Sequence, residues 1–160
     1  MTSNDLIKKG SNFLKMNNIK SHIIDAELIL SNVSGLLREK FVINSELKLD
    51  SNQINAFNKL ILKRGMSKEP LAYLFKKKEF WSNDLNVNKN VLIPRPETEI
   101  LVDALARYYK NQKPFILDIG TGSGCIIISL LQELKQSKAI AIDISNKALK
   151  IALENSRINN

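Results

Sequence analysis

In the stretch FILDIGTGSGCIIISL, Phe115 to Leu130, a short apolar run ends in Asp118, glycines follow at 120, 122 and 124, and a second apolar run begins. Glycines at alternate positions clear side chains from one side of a turn, admit positive φ and let a ligand approach the backbone. Between a strand and a helix N-terminus, such a turn is where doubly wound proteins hold nucleotides. The dinucleotide fingerprint G-x-G-x-x-G is broken, because Cys125 stands where its third glycine would be, and the phosphate loop G-x-x-x-x-G-K-[ST] is absent. A carboxylate just before the turn, Asp118, repels a pyrophosphate and suits an ammonium group. A second acid, Asp143, lies 23 residues after Gly120, close to the spacing at which an acid reaches ribose hydroxyls. A ribose and an ammonium group without a phosphate describe S-adenosylmethionine. The plainer alternative is that Asp118 or Asp143 only caps the helix that follows it. Cys125 reads as a small core residue and His22 is given no role. With one cysteine and one histidine, no Cys/His metal cluster and no intrachain disulfide can form.

The elements that must position these residues follow from the pattern. FILDI reads as a buried strand and CIIISLLQEL as a helix. KAIAID reads as a second strand, and SNKALKIALENSRINN as an amphipathic helix with Ala148, Ile151 and Ala152 inward. Strand, turn, helix, strand, helix is a βαβα unit, so the expected class is α/β with a parallel, doubly wound sheet. Upstream, PETEILVDALARYYKN reads as a helix entered at Pro96 or Glu97. The runs EFW, LNV and VLI, separated by SND and NKN, read as a hairpin and connector.

Residues 1 to 66 read as helical. A first helix is capped at Ser3 or Asn4 and carries Leu6, Ile7, Phe13 and Leu14 on one stripe, although Gly10 weakens it. A second runs from Ser21 to Gly35 with Ile24, Leu28 and Ile29 inward. A third is capped at Asp50 or Ser51 and ends at Gly65, with Ile54, Phe57, Leu60 and Ile61 inward. The expected division is therefore a helical domain over 1–75, a hairpin connector over 76–95 and an α/β domain over 96–160.

The chain has 160 residues with a net charge of +8, 44% hydrophobic and 25% charged. No apolar run is long enough to span a bilayer, and the N-terminus lacks the apolar core of a signal peptide. A cytoplasmic location is expected. The positive charge suits an acidic partner. However, 19 Lys against 5 Arg, with 18 Asn and 20 Ile, is also what an AT-rich coding sequence tends to give. Nucleic acid is not required.

The segments EPLAYLFKKKEFW, VLIPRPETEILVDAL and ILDIGTGSGCIIISL occur in that order. Together they resemble the HemK/PrmC family of peptide chain release factor glutamine methyltransferases. The resemblance implies methyl transfer from S-adenosylmethionine to the side-chain amide of the glutamine in a Gly-Gly-Gln motif. It also implies an N-terminal helical bundle that docks the release factor, and a Rossmann-like class I methyltransferase sheet. Carried over, Gly120, Thr121, Gly122, Ser123 and Gly124 would line the cofactor and Asp143 would hold its ribose. Asp118 would sit by its amino group, directly or through water. Arg95, Pro96, Glu97 and Thr98 would form a segment beside it.

Two departures accompany the resemblance. The family usually has glycine where this chain has Lys76. Its catalytic Asn-Pro-Pro-Tyr motif is missing, since none of Pro70, Pro94, Pro96 and Pro114 follows an asparagine. No catalytic residue is therefore assigned. The expectation is an N-terminal part with a truncated methyltransferase domain, catalytically incomplete: a truncated gene product, one part of a split gene whose other half sits on a second chain, or a piece of a longer protein. Two strands and their helices cannot cover both faces of a doubly wound sheet, so an open edge and a bare apolar face are expected. Rival readings are an amino-methyltransferase acting on adenine in DNA or RNA, a non-catalytic module that binds release factors, and, more distantly, a dehydrogenase.

Overall fold

A computed structural model describes residues 1–159. The chain is α/β and forms two compact units, Met1–Phe75 and a second that begins at Lys76.

The first unit is helical: α1 (Ser3–Met16), α2 (His22–Ser34), α3 (Arg38–Ile43), α4 (Ser51–Ser67) and α5 (Leu71–Phe75). The cap of α1 is Thr2, not Ser3 or Asn4. Its hydroxyl accepts from the Asp5 amide, and the Asp5 carboxylate accepts from the Thr2 amide. Ser3 is instead buried, with its hydroxyl donating to the Ser45 carbonyl at 2.9 Å. Asp50 caps α4 in the same reciprocal way with Gln53. The core joins Leu6, Leu14, Ala26, Ile29, Leu30, Phe57 and Ile61. In α2 the inward face is Asp25, Ala26, Ile29 and Leu30, and Ile24 is exposed. Periodicity among so many isoleucines and leucines does not fix which stripe turns inward. The buried Asp25 does, because its Oδ2 accepts from Nε of Arg64 on α4 at 2.7 Å.

The glycine that weakens α1 on propensity marks a close helix crossing. A Cβ on Gly10 would lie 2.7 Å from Cζ of Phe57. Gly65 does not end α4 but lies inside it, where a Cβ would meet Cε1 of Phe13 at 2.5 Å. Both helices carry glycine where a neighbouring ring lies against the backbone.

The second unit opens with the antiparallel hairpin β1 (Lys77–Phe80) and β2 (Asn83–Asn86). Its two-residue turn is Trp81-Ser82, both at positive φ, 50° and 57°. This is the primed geometry that suits the twist of a hairpin and usually takes Asn-Gly. Trp81 is thus a turn residue, not part of a strand. Tertiary bonds hold it: its amide donates to Oε1 of Glu99 at 2.9 Å and its indole N–H to Oε1 of Glu133 at 2.8 Å. The run VLI at 91–93 forms no strand. Pro96–Thr98 is a 3₁₀ turn, and the helix proper, α6, is Glu99–Tyr108.

The rest is β3 (Phe115–Ile119), α7 (Cys125–Glu133), β4 (Lys138–Ile142) and α8 (Asn146–Ile158), with β3 and β4 parallel and Leu117 opposite Ile140. Ile116, Ala139 and Ala141 pack with Ile127, Ile128 and Leu130 of α7. On α8, Ala148, Ile151 and Ala152 are buried as the pattern requires. The strand FILDI is not buried on both faces. Phe115, Leu117, Ile119, Ile140 and Ile142, on the other face, are 44% to 73% exposed. The connections put α7 and α8 on one side, and among the described residues no helix covers the second.

Candidate functional site

The glycine turn leaves the C-terminal end of β3 and crosses the end of β4. There the carbonyl of Ile142 accepts from the amides of Gly120 at 2.8 Å and Thr121 at 3.0 Å. The Gly124 amide donates to the Thr121 carbonyl at 2.8 Å. Gly120, Gly122 and Gly124 have φ of 79°, 56° and 80°. That is the left-handed region, which costs an L-residue about 1–2 kcal/mol. Gly120 and Gly122 face open space, with nothing within 4 Å of a Cβ placed on either. Gly124 is different: a Cβ there would meet Cδ1 of Ile128 at 3.0 Å and Cβ of Ala152 at 3.3 Å. One side of the turn is therefore packed on α7 and α8, and the other is clear.

Two carboxylates flank the turn. Asp118 Oδ2 accepts from the Thr121 hydroxyl at 2.8 Å. Asp143 Oδ2 accepts from the Gly122 amide at 2.9 Å, and its Oδ1 from the Ser145 amide at 2.8 Å. These backbone bonds, that from Ser145 foremost, hold the Asp143 carboxyl below the usual carboxylate range. The acid thus braces the turn and is ionised at neutral pH. Helix capping is not its job: Ser145 caps α8, its hydroxyl accepting from the Ala148 amide at 3.2 Å. Thr121 and Ser123 are buried, so they present backbone, not side chains, to the open side. The amides of Gly120, Thr121, Gly122 and Gly124 are already engaged within the protein. A phosphate would find those donors taken, whereas a cationic or hydroxyl-bearing ligand would find two carboxylates.

Asp118, residues 120–124 and Asp143 are brought together by this network. Arg95, Pro96, Glu97 and Thr98 are not tied to it. Arg95, Pro96 and Glu97 are exposed, and among the described residues no hydrogen bond or ion pair joins the four to the turn. Cys125 is half-buried. Burial, chiefly, pushes its thiol up from the ordinary value, which keeps it protonated and a poor nucleophile at neutral pH. His22 lies in the other unit, where its Nδ1 is 2.7 Å from the Ser11 hydroxyl.

Sequence reasoning missed three polar residues that tie the second unit together, of which Asn155 alone reaches the turn. Glu99 anchors the hairpin turn. Asn83 accepts from Nε2 of Gln132 at 2.6 Å. Asn155 is fully buried on α8. A signal for the last existed: Asn155 extends the stripe of Ala148, Ile151 and Ala152 by one helical step, so a polar side chain occupies a core position. A polar cavity lined by Trp81, Arg107, Lys110, Lys113 and Lys135 lies at the C-terminal ends of α6 and α7. Lysines there complement the negative ends of the helix dipoles.

Residues 5–75 match the family model of the PrmC N-terminal domain, and residues 95–160 match that of ribosomal protein L11 methyltransferase (PrmA). A release factor glutamine methyltransferase of Leptospira interrogans is 41% identical over 153 residues, which is 94% of this chain and 53% of that protein. One from Fusobacterium nucleatum is 33% identical over 97% of this chain and 44% of its own length. A bifunctional methyltransferase of Rickettsia prowazekii is 39% identical over 89% of this chain and 31% of its own. The chain spans about half the length of the release factor glutamine methyltransferases it matches. A helical unit matching the PrmC N-terminal domain thus stands before an α/β unit matching a methyltransferase family, the same order over which the chain is similar to release factor glutamine methyltransferases.

Proposed function

We propose that this chain binds S-adenosylmethionine at the 120–124 turn, between Asp118 and Asp143, and belongs to the machinery that methylates the glutamine side-chain amide in the Gly-Gly-Gln motif of release factors. One observation carries the reading: the turn is open over Gly120 and Gly122 and stands between Asp118 and Asp143, at the ends of adjacent parallel strands. When bound, S-adenosylmethionine supplies an electrophilic methyl group on a sulfonium. Asp143 holds the ribose hydroxyls, and Asp118 takes the amino group, directly or through water. Arg95, Pro96, Glu97 and Thr98 border the cofactor, and the helical unit over 1–75 docks the release factor. The division into a docking domain, a hairpin over 76–95 and a cofactor domain over 96–160 is part of this reading.

The acceptor amide is a weak nucleophile, because its lone pair is delocalised. Orienting it against the methyl group must supply much of the rate. In the family reading an Asn-Pro-Pro-Tyr segment does this, and the sequence here has no Asn-Pro pair. Transfer is therefore proposed to need groups supplied from outside these 160 residues. Calorimetric titration of S-adenosylmethionine into the chain tests the cofactor site. Binding is expected, with a loss of about tenfold or more in Asp143→Ala. No binding by the unchanged chain would defeat the assignment. Transfer of labelled methyl to a release factor, with and without an added C-terminal half of a relative, tests the division of labour; activity is expected only with the addition.

A further inference from the structure

We infer that Asn155 is a positioning residue for the cofactor turn, holding the Ser123–Gly124 peptide in one orientation and keying it to the β-hairpin. The side chain is fully buried and makes three hydrogen bonds. Its Oδ1 accepts from the Asn86 amide at 2.7 Å, and its Nδ2 donates to the Asn86 carbonyl at 3.0 Å and to the Ser123 carbonyl at 2.8 Å. Toward β2 the amide behaves as another strand's peptide group would, taking both backbone groups of one residue. Toward the turn it fixes a single carbonyl.

That carbonyl matters because of its neighbours. Ser123 stands between Gly122 and Gly124, and glycines on both sides make rotation of a peptide plane cheap. The peptide is planar, so fixing the Ser123 C=O also fixes the Gly124 N–H, which donates to Thr121. A flipped plane would lose both bonds and turn a buried carbonyl away from its donor. Ala152, one turn earlier on α8, packs against Gly124. One face of α8 thus supports the turn from beneath and leaves the side over Gly120 and Gly122 clear. Only Asn and Gln carry the two donors and one acceptor used here.

The test compares Asn155→Asp with Gln132→Ala. The aspartate keeps an acceptor for the Asn86 amide but sets a carboxylate oxygen against the Ser123 and Asn86 carbonyls. Gln132 holds the same hairpin, through Asn83, and the end of α8, through the Asn159 carbonyl, without touching the turn. Hydrogen exchange at the Gly124 amide is expected to quicken about tenfold or more in Asn155→Asp. S-adenosylmethionine affinity should fall by a similar factor. Both are expected to stay within about twofold of the unchanged chain in Gln132→Ala. If Asn155→Asp does not fold, Asn155→Ser, which retains one hydroxyl donor, replaces it with the same expectation. Unchanged Gly124 protection, or equal effects from Gln132→Ala, would overturn the inference. The affinity arm rests on the cofactor reading and the exchange arm does not. A chain that fails to bind S-adenosylmethionine would defeat that reading while exchange at Gly124 still decides the role of Asn155.

Discussion

Gly124 and Gly122 carry different constraints, and alanine at each should separate them. At Gly124 a Cβ meets Ile128 and Ala152 at a φ of 80°, whereas at Gly122 it meets nothing at a φ of 56°. Gly124→Ala is expected to lose about 2 kcal/mol of stability, from backbone strain plus crowding, and Gly122→Ala about 1 kcal/mol, from strain alone. Cofactor affinity should rank the other way, because only Gly122 faces the open side; urea unfolding and ligand titration of both variants check the crossing order. Asp143 adds a dependence on pH. Its folded-state carboxyl titrates below the ordinary value, so its stabilisation is present above the unfolded value of about 3.9 and is lost as pH falls through the folded one. Asp143→Asn should therefore be less stable than the unchanged chain at neutral pH, and the difference should shrink below about pH 4. A constant difference across that range would contradict the two amide bonds.

Among the elements, helix packing and the hairpin show where local preference yields to tertiary contact. Alanine favours a helix over glycine by about 1 kcal/mol, yet Gly10→Ala would drive a methyl to within 2.7 Å of the buried Phe57 ring. Overpacking prevails, and a net loss of about 1–2 kcal/mol is expected on thermal unfolding. Lys76 is the opposite case. It sits at φ 58°, in the left-handed region that favours glycine. Lys76→Gly relieves that strain and is expected to raise stability by up to about 1 kcal/mol, since glycine's extra freedom in the unfolded chain offsets part of the gain. A fall in the unfolding midpoint would mean that the lysine side chain contributes more than its backbone costs.

For the molecule as a whole, the sheet dominates. Phe115, Leu117 and Ile119 on β3 and Ile140 and Ile142 on β4 form one exposed apolar face, the kind of surface that marks a site of association. The chain should bind the dye ANS strongly. Leu117→Lys with Ile140→Glu, a cross-strand pair on that face, should abolish most of the signal while shifting stability by less than about 1 kcal/mol. Retained dye binding would place the accessible apolar surface elsewhere.

By itself the sequence determined the α/β class, the helical N-terminal part, the strand–turn–helix order and the residues around the turn. All of these rest on local signals: periodicity, caps and glycine spacing. It also carried the expectation of a bare sheet face, from strand count alone. Tertiary structure decided the rest. Which stripe of α2 is inward depends on Arg64 reaching Asp25. Why Gly10 and Gly65 are glycines depends on rings from other helices. The Trp81-Ser82 turn depends on Glu99 and Glu133, and the pose of the glycine turn on Asn155. Each is a contact between residues distant along the chain, which no local pattern encodes.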